Sequence, residues 1–222
     1  MSLRHYPAEI LDNDEIARLI KAPNPKCPTG CRNRALVILL YRSGLRVSEA
    51  LALKPSDLDP NAGTIRVLHG KGDKARTAGM DPEAFVYVQH WISERAKLGH
   101  DGRKPLFCTI KGEPMMDRYV RAMMKRLANR AKIDKRVHAH GLRHLLAVEM
   151  AREGLSLTTI QSQLGHSAAS TTATYLRRIS PQEAIDAVRC RTWGESPKDD
   201  SLFARLAAIE AELRNLQRVA VR

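Results

Sequence analysis

The sequence predicts an α+β protein, predominantly α-helical, with a small three-stranded antiparallel sheet at one edge. Three observations carry this. Apolar residues recur at helical spacing along most of the chain. Two β-rich stretches, 64–68 and 77–80, flank the glycine-containing turn HGKGDKAR and pair as a hairpin. A further short apolar run, 106–110, lies between polar loops and supplies the third strand. At 222 residues the chain can bury one good core, or form one domain with an appendage.

Asp12, Asn13, Asp14 and Glu15 offer capping side chains ahead of Ile16, Leu19 and Ile20, which predicts a first short helix. Residues 22–28 hold three prolines and form a loop. A strong helix opens at Thr29 or Gly30; its centre, Ala35 to Tyr41, is apolar nearly all round and is therefore buried. Gly44 suits the left-handed residue that ends it. Another helix begins near Arg46, with Val47, Ala50, Leu51 and Leu53 inward, and breaks at Pro55. Pro82 fits the first turn of a helix that buries Phe85, Val88, Trp91 and Ile92 and runs to about Leu98.

Residues 119–133 form a two-faced helix. Val120, Met123, Met124, Leu127 and Ala131 are its core side, and Arg118, Arg121, Lys125, Arg126, Arg130 and Lys132 give a positive side where DNA can lie. A helix from Leu142 closes at Gly154, and a capped short helix from Ser156 ends at Gly165. Short helical segments follow at 170–176 and from Ser180. Residues 192–201 read as a linker. Beyond it Leu202, Leu206, Ile209, Leu213 and Leu216 form an a/d stripe of about two heptads, which has to bury against something.

The charge narrows the partner. Lys and Arg number 37 against 24 Asp and Glu, a formal net charge of +13. Such an excess favours a polyanion, nucleic acid ahead of an acidic membrane surface. Aromatic residues make up only 5%, so base stacking is not the main contact. Cys27, Cys31, Cys108 and Cys190 are too few and too irregular for a disulfide framework. Cys27 and Cys31 lack the two nearby partners a metal would need and read as reduced structural thiols. No apolar leader and no run of 18 apolar residues is present, so the expectation is a cytoplasmic protein, nucleoid-associated if it binds DNA, with no membrane contact.

Three motifs in the second half converge on phosphate chemistry. HGLRH places His140, Arg143 and His144 together, LGHS contributes His166, and STTATY ends on Tyr175. In the first third Arg46 stands at a helix start, where its charge adds to unpaired backbone N–H groups. Glu49, one turn on, is spaced to hold Arg46 or a neighbouring histidine. The hairpin turn carries Lys71, Lys74 and Arg76. Taken singly, each of these has an ordinary structural use; their joint order is the signal.

RALVILLYRSGLRVSEALALKPSDLD, GKGDKAR, HGLRH and LGHSAASTTATY, in this order, resemble the catalytic domain of tyrosine site-specific recombinases, including phage integrases, over roughly residues 10–190. The resemblance implies an integrase-like fold and a role for each matching residue. Arg46 and Arg143 correspond to the two active-site arginines, Glu49 to the acid after the first, and Lys71 to the catalytic lysine, with Lys74 the alternative. His140 pairs with Arg143 in the H-x-x-R element, His166 takes the histidine-or-tryptophan position, and Tyr175 is the nucleophile. Lys74, Arg76, Arg121, Lys125, Arg126 and His144 are assigned to DNA contact. No cofactor and no metal are expected, since arginines, lysine and imidazoles can meet phosphoryl charge and no acidic cluster has metal-ligand spacing. The partners implied are double-stranded DNA and further copies of the chain, as a tetramer on DNA with the C-terminal segment on a neighbour.

The chemistry is coherent without the family. A tyrosine hydroxyl with a pKa of about 10 needs a base or a strongly positive site before it attacks phosphorus. Forked guanidinium donors and an imidazole can meet the charge that grows on the non-bridging oxygens. A lysine can protonate the leaving 5′ oxygen.

The expected organisation is a catalytic domain over 1–191, a linker over 192–201 and an amphipathic helix over 202–222, with no separate helical domain in front. Two features depart from the family pattern: that front, and the run Leu145 to Glu149 after HGLRH. The competing readings are a type IB topoisomerase-like nicking-closing enzyme and a DNA-binding relic or regulator that no longer cuts.

Overall fold

A computed structural model of the chain describes residues 10–68 and 75–165. The elements within them follow in the order α1 (Asn13–Lys21), α2 (Pro28–Ser43), α3 (Val47–Ala52), β1 (Leu58–Asp59), β2 (Thr64–Val67), β3 (Arg76–Gly79), α4 (Pro82–Lys97), α5 (Asp117–Arg130), α6 (Ala139–Arg152) and α7 (Leu157–Leu164). Lys71, Lys74, His166 and Tyr175, the segments expected at 170–176 and from 180, the linker and the heptad stripe lie outside the described residues.

Helix α2 is the axis. From Ala35 to Leu40 the residues on every side of it are apolar, and Ala35, Leu36, Val37, Leu39 and Leu40 are fully buried. At about 1.5–3 kcal/mol for each large aliphatic side chain, this burial dominates the local energetics. Helix α4 packs on one flank of α2 and α6 on another. Arg32 survives inside the core because its guanidinium donates to the Cys108 carbonyl (3.1 Å), to Asn33 Oδ1 (2.9 Å) and to the Tyr119 hydroxyl. Burial lowers its pKa, and these acceptors hold the charge in place.

Capping chemistry sets the ends. Asp12 accepts from the Glu15 backbone N–H while Glu15 accepts from that of Asp12, a reciprocal box at the start of α1. Pro28 opens α2, one residue before the expected start, and Gly44 closes it at φ 65°. Ser156 caps α7, and Gly165 closes it at φ 62°.

The sheet runs β1-β2-β3, antiparallel throughout, with Leu58 opposite Ile65, Ile65 opposite Ala78 and Val67 opposite Arg76. Ile65, Val67 and Ala78 form its buried face. Its third strand is not the expected 106–110. That run is a loop, buried from Leu106 to Cys108, that makes an isolated bridge, Cys108 with Pro114. Its backbone is satisfied otherwise: Leu106 N–H donates to the Leu53 carbonyl (2.6 Å), and Trp91 Nε1 donates to the Leu106 carbonyl (2.8 Å). A continuous apolar run signals burial but not ladder pairing. The place is taken by the two residues of β1, too short for any periodicity to reveal.

Helix α6 starts at Ala139, three residues ahead of the expected Leu142, which brings His140 into its first turn. Leu145 to Val148 are all buried. The Tyr41 hydroxyl donates its proton to the Glu149 carboxylate, 2.7 and 2.8 Å from its two oxygens, and so ties α6 to α2. Burial raises the Glu149 pKa; burial and the carboxylate push Tyr41 up to about 12. Among the described residues, no helix is long and apolar enough to cross a membrane.

Candidate active site

Three arginines gather on one turn of backbone. The last residues of an α-helix present carbonyls that no intrahelical N–H can reach, and the helix dipole makes that end favourable for cations. At the end of α7 these carbonyls are taken in succession. Arg76 Nη1 donates to the Gln163 carbonyl (2.7 Å), Arg143 Nη2 to that of Leu164, and Arg46 Nη2 to that of Gly165 (3.4 Å). Two of the three are the arginines predicted to hold a phosphate, and His166 is the next residue in the chain.

Arg143 lies deepest, 2% exposed. Its Nη1 donates to the Gly44 carbonyl, so one guanidinium bridges the C-terminal ends of α2 and α7. Gly44 has to be glycine for two reasons: its left-handed φ, and the Leu164 and Leu146 methyls that would stand 2.7 and 2.9 Å from an added Cβ. Leu146, Ala147, Ile160 and Leu164 form a small cluster between α6 and α7 that fixes this geometry.

Arg46 is the N-cap residue of α3, as its position predicts. Glu49 holds it twice, accepting from its backbone N–H at 2.8 Å and from Nη1 at 2.7 Å. The Arg46 side chain is 29% exposed and that of Glu49 only 2%. Burial raises the Glu49 pKa, but the Arg46 N–H, the charge of Arg76 and the Arg46 guanidinium outweigh it, so the carboxyl sits below its ordinary range. With five donors and two contacts among the described residues, the Arg46 guanidinium has N–H groups to offer a phosphate.

His140 sits three residues before Arg143, on the same side of the first turn of α6. Partial burial depresses its pKa, and the positive charges of Arg143, His138 and Arg46 press the same way. The imidazole is therefore neutral at neutral pH and able to accept a proton. Of the same group, Glu49 pairs directly with Arg46.

Beside it a cavity of about 610 Å³ opens between α5 and the start of α6. Arg121, Lys125, Arg136, His138 and His140 are among its lining residues. Of the predicted DNA contacts, Arg121 and Lys125 border this cavity, and Arg126 lies over the Tyr119 ring at 5.6 Å. Two others do not fit their expectation. His144 is 5% exposed, one helical turn after His140 and among the buried residues Leu142 to Val148 of α6. Arg76 turns inward, its side chain 14% exposed, because Glu49 and the Gln163 carbonyl offer it acceptors. Sequence reading missed Gln163, whose side-chain amide donates to the Gly79 and Ser43 carbonyls and accepts from the Gly79 N–H. A glutamine on a short helix gives no signal of such bonding.

The sequence profile of the phage integrase family matches residues 9–180. A tyrosine recombinase XerD of Ralstonia nicotianae is 37% identical over 167 residues, 74% of this chain and 54% of that protein. A tyrosine recombinase XerC of Bacillus pumilus is 36% identical over 170 residues, 74% of this chain and 55% of that one. The chain thus spans a little over half the length of these curated relatives. Among solved structures, the XerA recombinase superposes with a TM-score of 0.72 at 28% identity, over 87% of this chain and 67% of its own. The XerH recombinase in its post-cleavage complex with a palindromic difH substrate gives 0.68 at 27% identity, over 82% and 53%. The family profile covers most of the chain, and the chain belongs to the phage integrase family.

Proposed function

We propose that the chain is the catalytic portion of an enzyme that cuts and rejoins DNA as a site-specific tyrosine recombinase. Tyr175 attacks the scissile phosphodiester and forms a 3′-phosphotyrosine, while the 5′ oxygen leaves. Arg46 and Arg143 neutralise the charge growing on the non-bridging oxygens, with His166 adding a hydrogen bond. His140, held neutral, accepts the tyrosine proton. Lys71, or Lys74 in its place, protonates the leaving oxygen. The phosphotyrosine keeps the energy of the broken bond for rejoining.

The observation that supports this best is the meeting of Arg46 and Arg143 on adjacent carbonyls, Gly165 and Leu164, with a neutral His140 in their field. The names of the relatives, tyrosine recombinases XerD and XerC, point to the same chemistry. The DNA path runs along Arg121, Lys125 and Arg126 on α5. Assembly as a tetramer on DNA through the 202–222 segment, and residence on the nucleoid, belong to the same reading. So does the division into a 1–191 domain, a linker and a terminal helix.

A nicked duplex pool tests it. A nick just beyond the cleavage point lets the short 5′-hydroxyl fragment diffuse away and traps the covalent complex. Wild type should yield a denaturant-resistant protein–DNA adduct without added metal, and Tyr175→Phe none. An equal yield from Tyr175→Phe, or no adduct on DNA that the protein binds, would overturn the proposal. Sequencing the trapped DNA identifies the target site.

A further inference from the structure

The two inner contacts of Arg76 give it a task that DNA binding does not explain. Arg76 opens β3, at the end of the hairpin whose turn carries Lys71 and Lys74. Its guanidinium joins three separate pieces of chain. Nη2 donates to Glu49 Oε2 at 3.0 Å, and Nη1 donates to the Gln163 carbonyl at 2.7 Å. Glu49 Oε2 is the same oxygen that takes the Arg46 backbone N–H, while Oε1 takes the Arg46 guanidinium. One carboxylate, 2% exposed, is thus fixed between two arginines.

The packing around Arg76 is equally specific. A Cβ on Gly165 would fall on its Nε and Cδ, so the arginine passes directly over the residue that closes α7. Its Nε is buried and has no hydrogen bond among the described residues, so the stem is committed to this path at some cost. Gln163 fastens the same strand independently, bonding both backbone groups of Gly79. The hairpin is therefore anchored without Arg76, and what Arg76 adds is the link to Glu49.

We infer that Arg76 is a positioning residue for Arg46: by holding Glu49 Oε2 it fixes the carboxylate that orients the Arg46 guanidinium toward the scissile phosphate. This rests on the reading of Arg46 as a phosphate clamp. Without Arg76, Glu49 keeps only Arg46 as a partner among the described residues and is free to follow it. The guanidinium then loses the fixed direction from which a pre-organised donor draws its catalytic worth.

The test uses the full chain, a trapped target duplex and single-turnover cleavage at saturating protein. A methylphosphonate at the scissile position replaces one charged non-bridging oxygen by a methyl group, so that charge no longer needs an arginine. Arg76→Ala should slow cleavage of the ordinary phosphodiester by about 10- to 100-fold, below the ~10²–10³ cost of removing a donor outright. DNA affinity should stay within about twofold of wild type, since phosphate-contacting residues set affinity and Arg76 is not one. On the methylphosphonate, Arg76→Ala and Arg46→Ala should both cleave within about threefold of wild type. Arg76→Lys, which keeps the charge and can reach one of the two acceptors, should show the same pattern at smaller size, and it carries the test if Arg76→Ala fails to fold.

If Arg46→Ala is rescued by the methylphosphonate and the Arg76 variants are not, the positioning role is wrong and the clamp reading stands. If Arg46→Ala is not rescued either, the clamp reading itself fails and takes the inference with it. A wild-type rate for Arg76→Ala on the phosphodiester, or a loss confined to DNA affinity, also overturns the inference.

Discussion

Arg143 and Arg46 reach neighbouring carbonyls of the same turn from opposite kinds of surroundings. Arg143 is buried at 2% exposure, and its guanidinium donates to main-chain carbonyls at the ends of two helices. Arg46 is partly exposed and is steered by a carboxylate, which a second arginine steers in turn. The first junction is made of backbone and close packing around Gly44, Leu146 and Leu164. The second is made of charge. The difference teaches that one half of the proposed phosphate site rests on backbone carbonyls and packing, while the other half depends on the ionisation of Glu49.

The sharpest way to break that contrast is Glu49→Gln. It should cost about 3 kcal/mol at neutral pH, near the lower end for removing one partner of a buried pair, because Arg46 and Arg76 keep some access to solvent. The pH dependence follows from the lowered Glu49 pKa. A carboxyl whose folded value is depressed contributes stability that is present above its ordinary value of 4.5 and is lost as pH falls through the folded value. The gap in melting temperature between wild type and Glu49→Gln should thus be full above pH 4.5 and close below it. A gap that does not change with pH would mean that Glu49 acts by shape alone.

Gly44→Ala attacks the other junction. The left-handed φ of 65° and the two crowded leucine methyls should make it cost about 1–2 kcal/mol, with the carbonyl that Arg143 holds displaced as well. Chemical denaturation should give the same loss at pH 5 and pH 8, since neither the Gly44 backbone strain nor the leucine methyls titrate. A loss that grows with acidity would erase the distinction between the junctions.

Legibility followed the same division. Local chemistry announced the capped α1, the buried α2, Gly44, the start of α3 at Arg46 and the closing Gly165, because each is decided within a few residues. The i, i+3 pair of His140 and Arg143 was also visible, though not that α6 begins early enough to hold His140 in its first turn. Choices that depend on distant acceptors were hidden. Arg76 looks like one more hairpin cation until Glu49 and the Gln163 carbonyl are seen beside it. His144 looks like a surface histidine until α6 turns it inward. The run 106–110 has strand composition, but its backbone is satisfied by Leu53 and Trp91 instead of a neighbouring strand. Arg46 pairs with Glu49, and Arg46 and Arg143 reach neighbouring carbonyls, whereas Lys71, Lys74, His166 and Tyr175 belong to stretches outside the described residues.

The central claim is that two arginines in such different settings serve one phosphate. A double-mutant cycle measures this directly: single-turnover cleavage by wild type, Arg46→Ala, Arg143→Lys and the double variant on one trapped duplex. Groups acting on the same charge in the same transition state are not independent, so the double variant should lose clearly less than the product of the two single losses. Losses that simply multiply would place the two arginines on separate tasks and contradict the claim.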